Sequence, residues 1–134
     1  MVNVDKLRSS LWTGVRTVIV NSLAADTIDA GVEATYNSKG IGKKPLVVIQ
    51  PLVIDESTFR FGGFHGRRGV TVIIDIYARS GLEVDTIGDS LLYGFKSTAI
   101  DGLLPVTILD DYSYLTEEGN NLHLLSLQVG YLVE

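Results

Sequence analysis

Val4, Leu7, Leu11, Val15 and Val18 recur at helical spacing with Asp5, Lys6, Ser9, Ser10, Thr13 and Arg16 between them, which predicts an amphipathic helix over residues 3 to about 20. Trp12 lies at the edge of that stripe and reads as a core or subunit-contact residue. Residues 21–45 lose the period and collect Gly, Asn and Lys, the pattern of a long connection with at most a helical turn. From Leu46 the pattern turns to β. Leu46-Val47-Val48-Ile49 is a largely β-branched run, and Pro51, which has no N–H for a ladder, marks an edge, a bulge or a break before Leu52-Val53-Ile54. Asp55-Glu56-Ser57 can turn the chain into a strand over 58–61. Residues 70–79 form a strand that is apolar on both faces except at Asp75, as a central strand covered by helix would be.

Ser80-Gly81 opens a second helix, with Val84, Ile87, Gly88, Leu91, Leu92, Phe95 and Ala99 along one stripe and Gly102 and Pro105 as its stop. Residues 106–114 and 122–133 read as two strands joined across the turn-rich stretch 117–121. In the last strand Leu125, Leu127, Val129, Tyr131 and Val133 alternate with Leu124, Ser126, Gln128, Gly130 and Leu132. The order of elements predicts one α+β domain over residues 1–134, an antiparallel β-sheet of about four to five strands with two main α-helices packed on one face.

Composition narrows the function classes. The 134 residues carry a net charge of −5, an apolar fraction of 46% and no cysteine, so disulfide staples and thiolate metal sites are excluded and a reducing compartment is expected. No apolar run approaches the ~20 residues of a bilayer span, and a soluble protein made in the cytoplasm, without membrane contact, is the expectation. The charge is unevenly spread. Residues 1–80 hold ten Lys or Arg against seven acids, whereas residues 81–134 hold Lys96 alone against nine. A basic surface on one copy facing an acidic surface on the next would use such a split in a head-to-tail ring; solvated faces that differ by chance would also produce it.

Residues 59–69, Phe-Arg-Phe-Gly-Gly-Phe-His-Gly-Arg-Arg-Gly, combine four glycines with three phenylalanines and three arginines. Glycine keeps such a segment from ordering alone, and Phe and Arg are side chains that favour protein contacts. The expected interface residues are therefore Phe59, Arg60, Phe61, Phe64, His65, Arg67 and Arg68, with Lys39, Lys43 and Lys44 from the other Gly- and Lys-rich stretch. Both stretches, 36–45 and 59–69, are expected to be mobile in the free subunit.

Catalysis is not expected. His65 and His123 are the only histidines, no Gly-x-Ser-x-Gly elbow exists, and no His or Cys stands at metal-ligand spacing from either. Lys39-Gly-Ile-Gly-Lys-Lys44 lacks phosphate-loop spacing and precedes a strand rather than a helix. Asp75 is the one candidate buried acid, and pairing with an arginine such as Arg79 or Arg16 is its simplest reading. No cofactor or metal is expected. Two other classes stay open: a nucleic-acid-contacting module, for which Arg, Gly and Phe are suited but the net charge is not, and a small-ligand domain, for which the sequence offers no convergent polar set.

The run His65-Gly-Arg-Arg-Gly-Val-Thr-Val-Ile-Ile-Asp-Ile-Tyr-Ala-Arg-Ser-Gly81 entering an amphipathic helix, and the closing hairpin ending Leu-Gln-Val-Gly-Tyr-Leu-Val-Glu134, resemble the tail-terminator or tail-completion proteins of long-tailed bacteriophages, in particular the tail-to-head joining proteins of siphophages. The resemblance is architectural and runs over essentially the whole chain. It implies a structural virion protein, assembled in the host cytoplasm, that caps the head-proximal end of the tail tube as a hexameric ring and stops elongation. Its implied partners are further copies of itself, the tail tube protein and the head completion or connector protein. DNA would pass through the ring without specific binding. Another phage neck or minor tail protein is the neighbouring alternative.

Overall fold

The first helix, α1 (Leu7–Ala25), buries Leu11, Val15, Val18, Ile19 and Leu23, and it runs five residues past the end that the loss of periodicity suggested. Leu23 extends the buried stripe by one more turn, and the helix then closes on hydrogen bonds from Ile28 N–H to the Leu23 carbonyl (2.8 Å) and from Thr27 N–H to the Ala24 carbonyl (3.2 Å). Thr27 takes the left-handed position between them at φ 55°, so the stop is a Schellman motif built without glycine. The computed structural model describes residues 7–34, 44–55, 68–117 and 120–133. The expected strand over 58–61 and the expected mobility of 36–43 and 59–67 lie outside them.

Six strands follow: β1 (Gly31–Glu33), β2 (Leu46–Ile49), β3 (Val53–Asp55), β4 (Arg68–Ala78), β5 (Thr107–Glu117) and β6 (Asn120–Val133), with α2 (Gly81–Ser97) between β4 and β5. They form one sheet in the order β1-β2-β4-β6-β5, and β3 also pairs with β4. The fold is α+β with both helices on one face, as the pattern predicts. The sheet is antiparallel, as expected, except at one edge: β1, inside the stretch read as a connection, pairs parallel to β2, and all the other pairings among the described residues are antiparallel. Three residues are too short to raise a period-2 signal above the surrounding Gly and Ala.

Pro51 is a break. Gln50 N–H still donates to the Ile73 carbonyl at 2.9 Å, the ladder then lapses, and β3 resumes it against Gly69–Thr71. Alternation sorts β4 cleanly. Val70, Val72, Ile74, Ile76 and Ala78 face the helices and are fully buried, as are Leu127, Val129 and Tyr131 on β6. Val84, Ile87, Leu91 and Phe95 of α2 close over them. The opposite face holds a smaller cluster of Leu46, Val48 and Leu122 against Tyr77.

Ser80 caps α2, its Oγ accepting from Glu83 N–H at 3.2 Å while Glu83 Oε1 accepts from Ser80 Oγ, a paired arrangement that satisfies one of the helix's free donors. The helix stops at Ser97, before Gly102, so Ala99 is not on its stripe. Residues 100–103 form a tight turn closed by reciprocal Ile100 and Leu103 hydrogen bonds, with Asp101 at φ 50° and Gly102 at φ 83°. No helix among the described residues is long and apolar enough to cross a membrane.

Candidate interaction surface

Of the ten residues singled out for an interface, only Lys44 and Arg68 fall in described backbone. Lys39, Lys43, Phe59, Arg60, Phe61, Phe64, His65 and Arg67 lie outside the described residues. Lys44 stands just before β2, its ammonium 3.5 Å from Asp29 with both side chains exposed; at such exposure the pair contributes about 0–1 kcal/mol. Arg68 begins β4 opposite Val133.

The structure puts a different set of residues on display. Leu104, Val106, Leu109, Tyr112 and Tyr114 are each between 48% and 62% exposed, and all five occur within eleven consecutive residues on β5 or just before it. Large apolar side chains scattered singly over a surface are ordinary, and their concentration along one strand makes this strand the candidate contact area. β5 is the outermost strand on its side of the sheet, and among the described residues nothing pairs with its outer edge. Its ladder with β6 is unbroken from Thr107↔Gly130 to Glu117↔Asn120, so no bulge turns that edge away.

Ile108, Asp110, Tyr112 and Tyr114 alternate to the helix side of β5 and Leu109 and Asp111 to the other. Near the start of α2 the Tyr112 hydroxyl meets Nδ1 of His123, and Tyr114 packs edge-on against the same imidazole with ring centroids 5.0 Å apart. A Cβ added at Gly81 would stand 3.7 Å from that Nδ1, so the three rings sit beside the first turn of α2. Among the described residues no group of three or more His, Cys, Asp or Glu side chains is placed to hold a metal ion. The sequence pattern predicts a strand over 106–114, in line with β5, but names none of its residues for an interface. The available signal was a long strand carrying Leu and Tyr with no lysine or arginine anywhere in residues 97–134.

Asp75 is buried on the sheet face away from the helices, where Gln50 Nε2 donates to Oδ2 at 2.5 Å and Ser126 Oγ donates to Oδ1 at 2.7 Å. The arginine suggested by sequence gives way to neutral donors from β6 and from the residue just after β2, so the group ties three neighbouring strands together across the sheet. Trp12 is half-buried and lines a shallow apolar cavity of about 370 Å³ with Ile49, Pro51 and Leu52, which offers shape but no charged group to orient a ligand. Neither a protein-family model nor a curated protein matches the chain.

Proposed function

We propose that the chain is a structural subunit of a phage tail, one that caps the head-proximal end of the tail tube as a ring, stops tube elongation and joins the tail to the head connector. The observation that supports an assembly role most directly is the run of exposed Leu, Val and Tyr residues along an unbulged edge strand whose outer side has no partner among the described residues. An 11-residue edge of this kind is a hazard for a protein that works alone, and it is useful to a subunit whose working state is an assembly. The segregation of ten of eleven cationic side chains into residues 1–80 would suit the two unlike surfaces that a closed head-to-tail ring requires. The tail end as the place of assembly rests on the resemblance of residues 65–81 and 127–134 to tail-completion proteins.

The test is to mix the purified protein with siphophage tail tubes from a strain lacking its terminator and to image the product. Density capping one end of each tube, and uniform tube length when the protein is present during assembly, is the expected result. Tubes that stay uncapped and keep elongating would sink the proposal. The same imaging distinguishes a minor tail protein, which would decorate the tube elsewhere.

A further inference from the structure

We propose that the outer edge of β5 takes up an extended segment of a different protein, one that carries two adjacent cationic residues flanked by apolar ones and joins the sheet as a further strand. The idea rests on the assembly reading above and gives it the chemistry of a partner. The backbone of β5 makes the first part of the case. Its inner ladder is unbroken from Thr107 to Glu117, and its outer side has no partner among the described residues. In an antiparallel pair, alternate N–H and carbonyl groups point away from the existing ladder and are free to bind another strand. Edge strands are usually guarded by lysine or proline, and Thr107–Glu117 holds neither.

The side chains select the occupant. Leu109 and Asp111 lie on one face of the strand, Asp110, Tyr112 and Tyr114 on the other, so each face shows an exposed carboxylate beside an exposed apolar group. Across a strand pair, facing side chains of opposite charge or of apolar character are favourable and like charges are not. Because Asp110 and Asp111 are neighbours in the chain, the complementary strand needs two neighbouring cations, one for each face, with apolar residues on either side. Neither β5 nor β6 contains a Lys or Arg to neutralise the aspartates, and the first turn of α2 adds Glu83. The short strands of a second copy do not supply the match. β1 carries Glu33 and no cation, β3 ends in Asp55, and β5 repeats the two aspartates. Lys44, before β2, already stands 3.5 Å from Asp29. A nucleic acid is repelled by the same carboxylates. A cationic strand from another protein satisfies backbone, apolar groups and charge together, with pairing of the backbone giving strength and the charges giving register.

The experiment titrates the isotope-labelled chain with a synthetic peptide as long as β5, alternating Val and Thr around a central Arg-Arg pair, up to about 1 mM. Binding should slow hydrogen exchange at alternate amides of Thr107–Glu117, the set that points away from β6. A peptide with Glu-Glu at its centre, and one with proline on both sides of Arg-Arg, should each bind at least about tenfold more weakly. Asp110→Lys with Asp111→Lys should reverse the order of the Arg and Glu peptides while leaving the unfolding midpoint nearly unchanged, since both positions are exposed. No binding of the Arg peptide, equal binding of the Glu peptide, or slowing without alternation along β5 would overturn the proposal. So would the same alternating protection growing with protein concentration in the absence of peptide, which would make a second copy the occupant. Tail tubes capped equally well by the parent and by the double lysine variant would leave the tail-end function standing and overturn the edge contact. Peptide binding as expected by a protein that never caps tubes would support the edge contact and sink the tail-end function.

Discussion

Replacing Tyr131 by phenylalanine should make the protein more stable. Tyr131 lies on the helix side of β6, 1% exposed, and its hydroxyl has no hydrogen-bond partner among the described residues. Burying a hydroxyl without a partner costs on the order of 1–3 kcal/mol, while the ring itself contributes through the area it removes from water. Phenylalanine keeps the ring and removes only the unpaired oxygen, at the price of a small void, so a net gain of about 1 kcal/mol is expected, or roughly 4 °C in melting temperature for a domain of this size. The effect should grow in alkali. Burial raises the Tyr131 phenol above its ordinary pKa of about 10, so the unfolded chain ionises first. The folded state therefore keeps its full stability below about pH 10 and loses it as the pH rises further, by about 1.4 kcal/mol per unit. The phenylalanine variant lacks this term. Urea unfolding of both proteins at pH 7 and pH 11 should show the variant with the higher midpoint at both, by a wider margin at pH 11, and with an unchanged slope. A variant less stable than the parent by 1 kcal/mol or more at pH 7, or a margin that does not widen with pH, would refute the reasoning.

Thr27→Gly should stabilise by about 0.5–1 kcal/mol, because a β-branched residue at φ 55° is strained where glycine is not; an unchanged unfolding midpoint would show that the Schellman turn relaxes readily. Ile74→Ala and Leu91→Ala, both 0% exposed, should each cost about 2–5 kcal/mol in denaturant titration, and a loss under 1 kcal/mol would place them outside the core. Gly94→Ala should destabilise by about 1–3 kcal/mol despite the better helix propensity of alanine, because the new methyl would lie 2.0 Å from Ser22 Oγ and 3.2 Å from Ser22 Cβ. Adding Ser22→Ala should recover part of that loss, and strictly additive effects would argue against the contact.

Long periodic elements were legible in the sequence because their period survives local noise. Val84, Ile87, Leu91 and Phe95 on α2, and the alternation through β4 and β6, lie where the pattern puts them. What was not legible depended on partners distant in the chain. β1 is a strand because β2 accepts it in parallel register, and no local preference in Gly31-Val32-Glu33 announces that. The end of α1 depended on tertiary contact as well, since Ser22 would read as a helix breaker but lies against Gly94, with its carbonyl accepting from Ser90 Oγ at 3.1 Å. Asp75 was correctly singled out as a buried acid. Its partners Gln50 and Ser126 are twenty-five and fifty-one residues away, beyond the reach of any spacing rule. For the interface, the sequence drew attention to Phe, Arg and Gly between 59 and 69, whereas the described surface that stands out is a strand whose aromatic residues would be ordinary core if one more element covered them.

That missing cover follows from how tightly the helices pack. Gly94 of α2 touches Ser22 of α1 so closely that a Cβ has no room, and Gly88 meets Leu125 of β6 with similar closeness. Glycine at these two points lets α2 settle against α1 and down onto β4 and β6. A layer of two closely spaced helices is narrower than a sheet five strands across, since helix axes pack about 8–10 Å apart and strands about 4.8 Å. One outer strand must then go without a helix above it, and α1 lies toward β1, which leaves β5. Tyr112 and Tyr114 point to the helix side of that strand and remain about half exposed because α2 comes near them only at its first turn, where Gly81 faces Tyr112 and His123. The glycines that tighten the core and the exposed apolar side chains of β5 are thus two results of one packing arrangement.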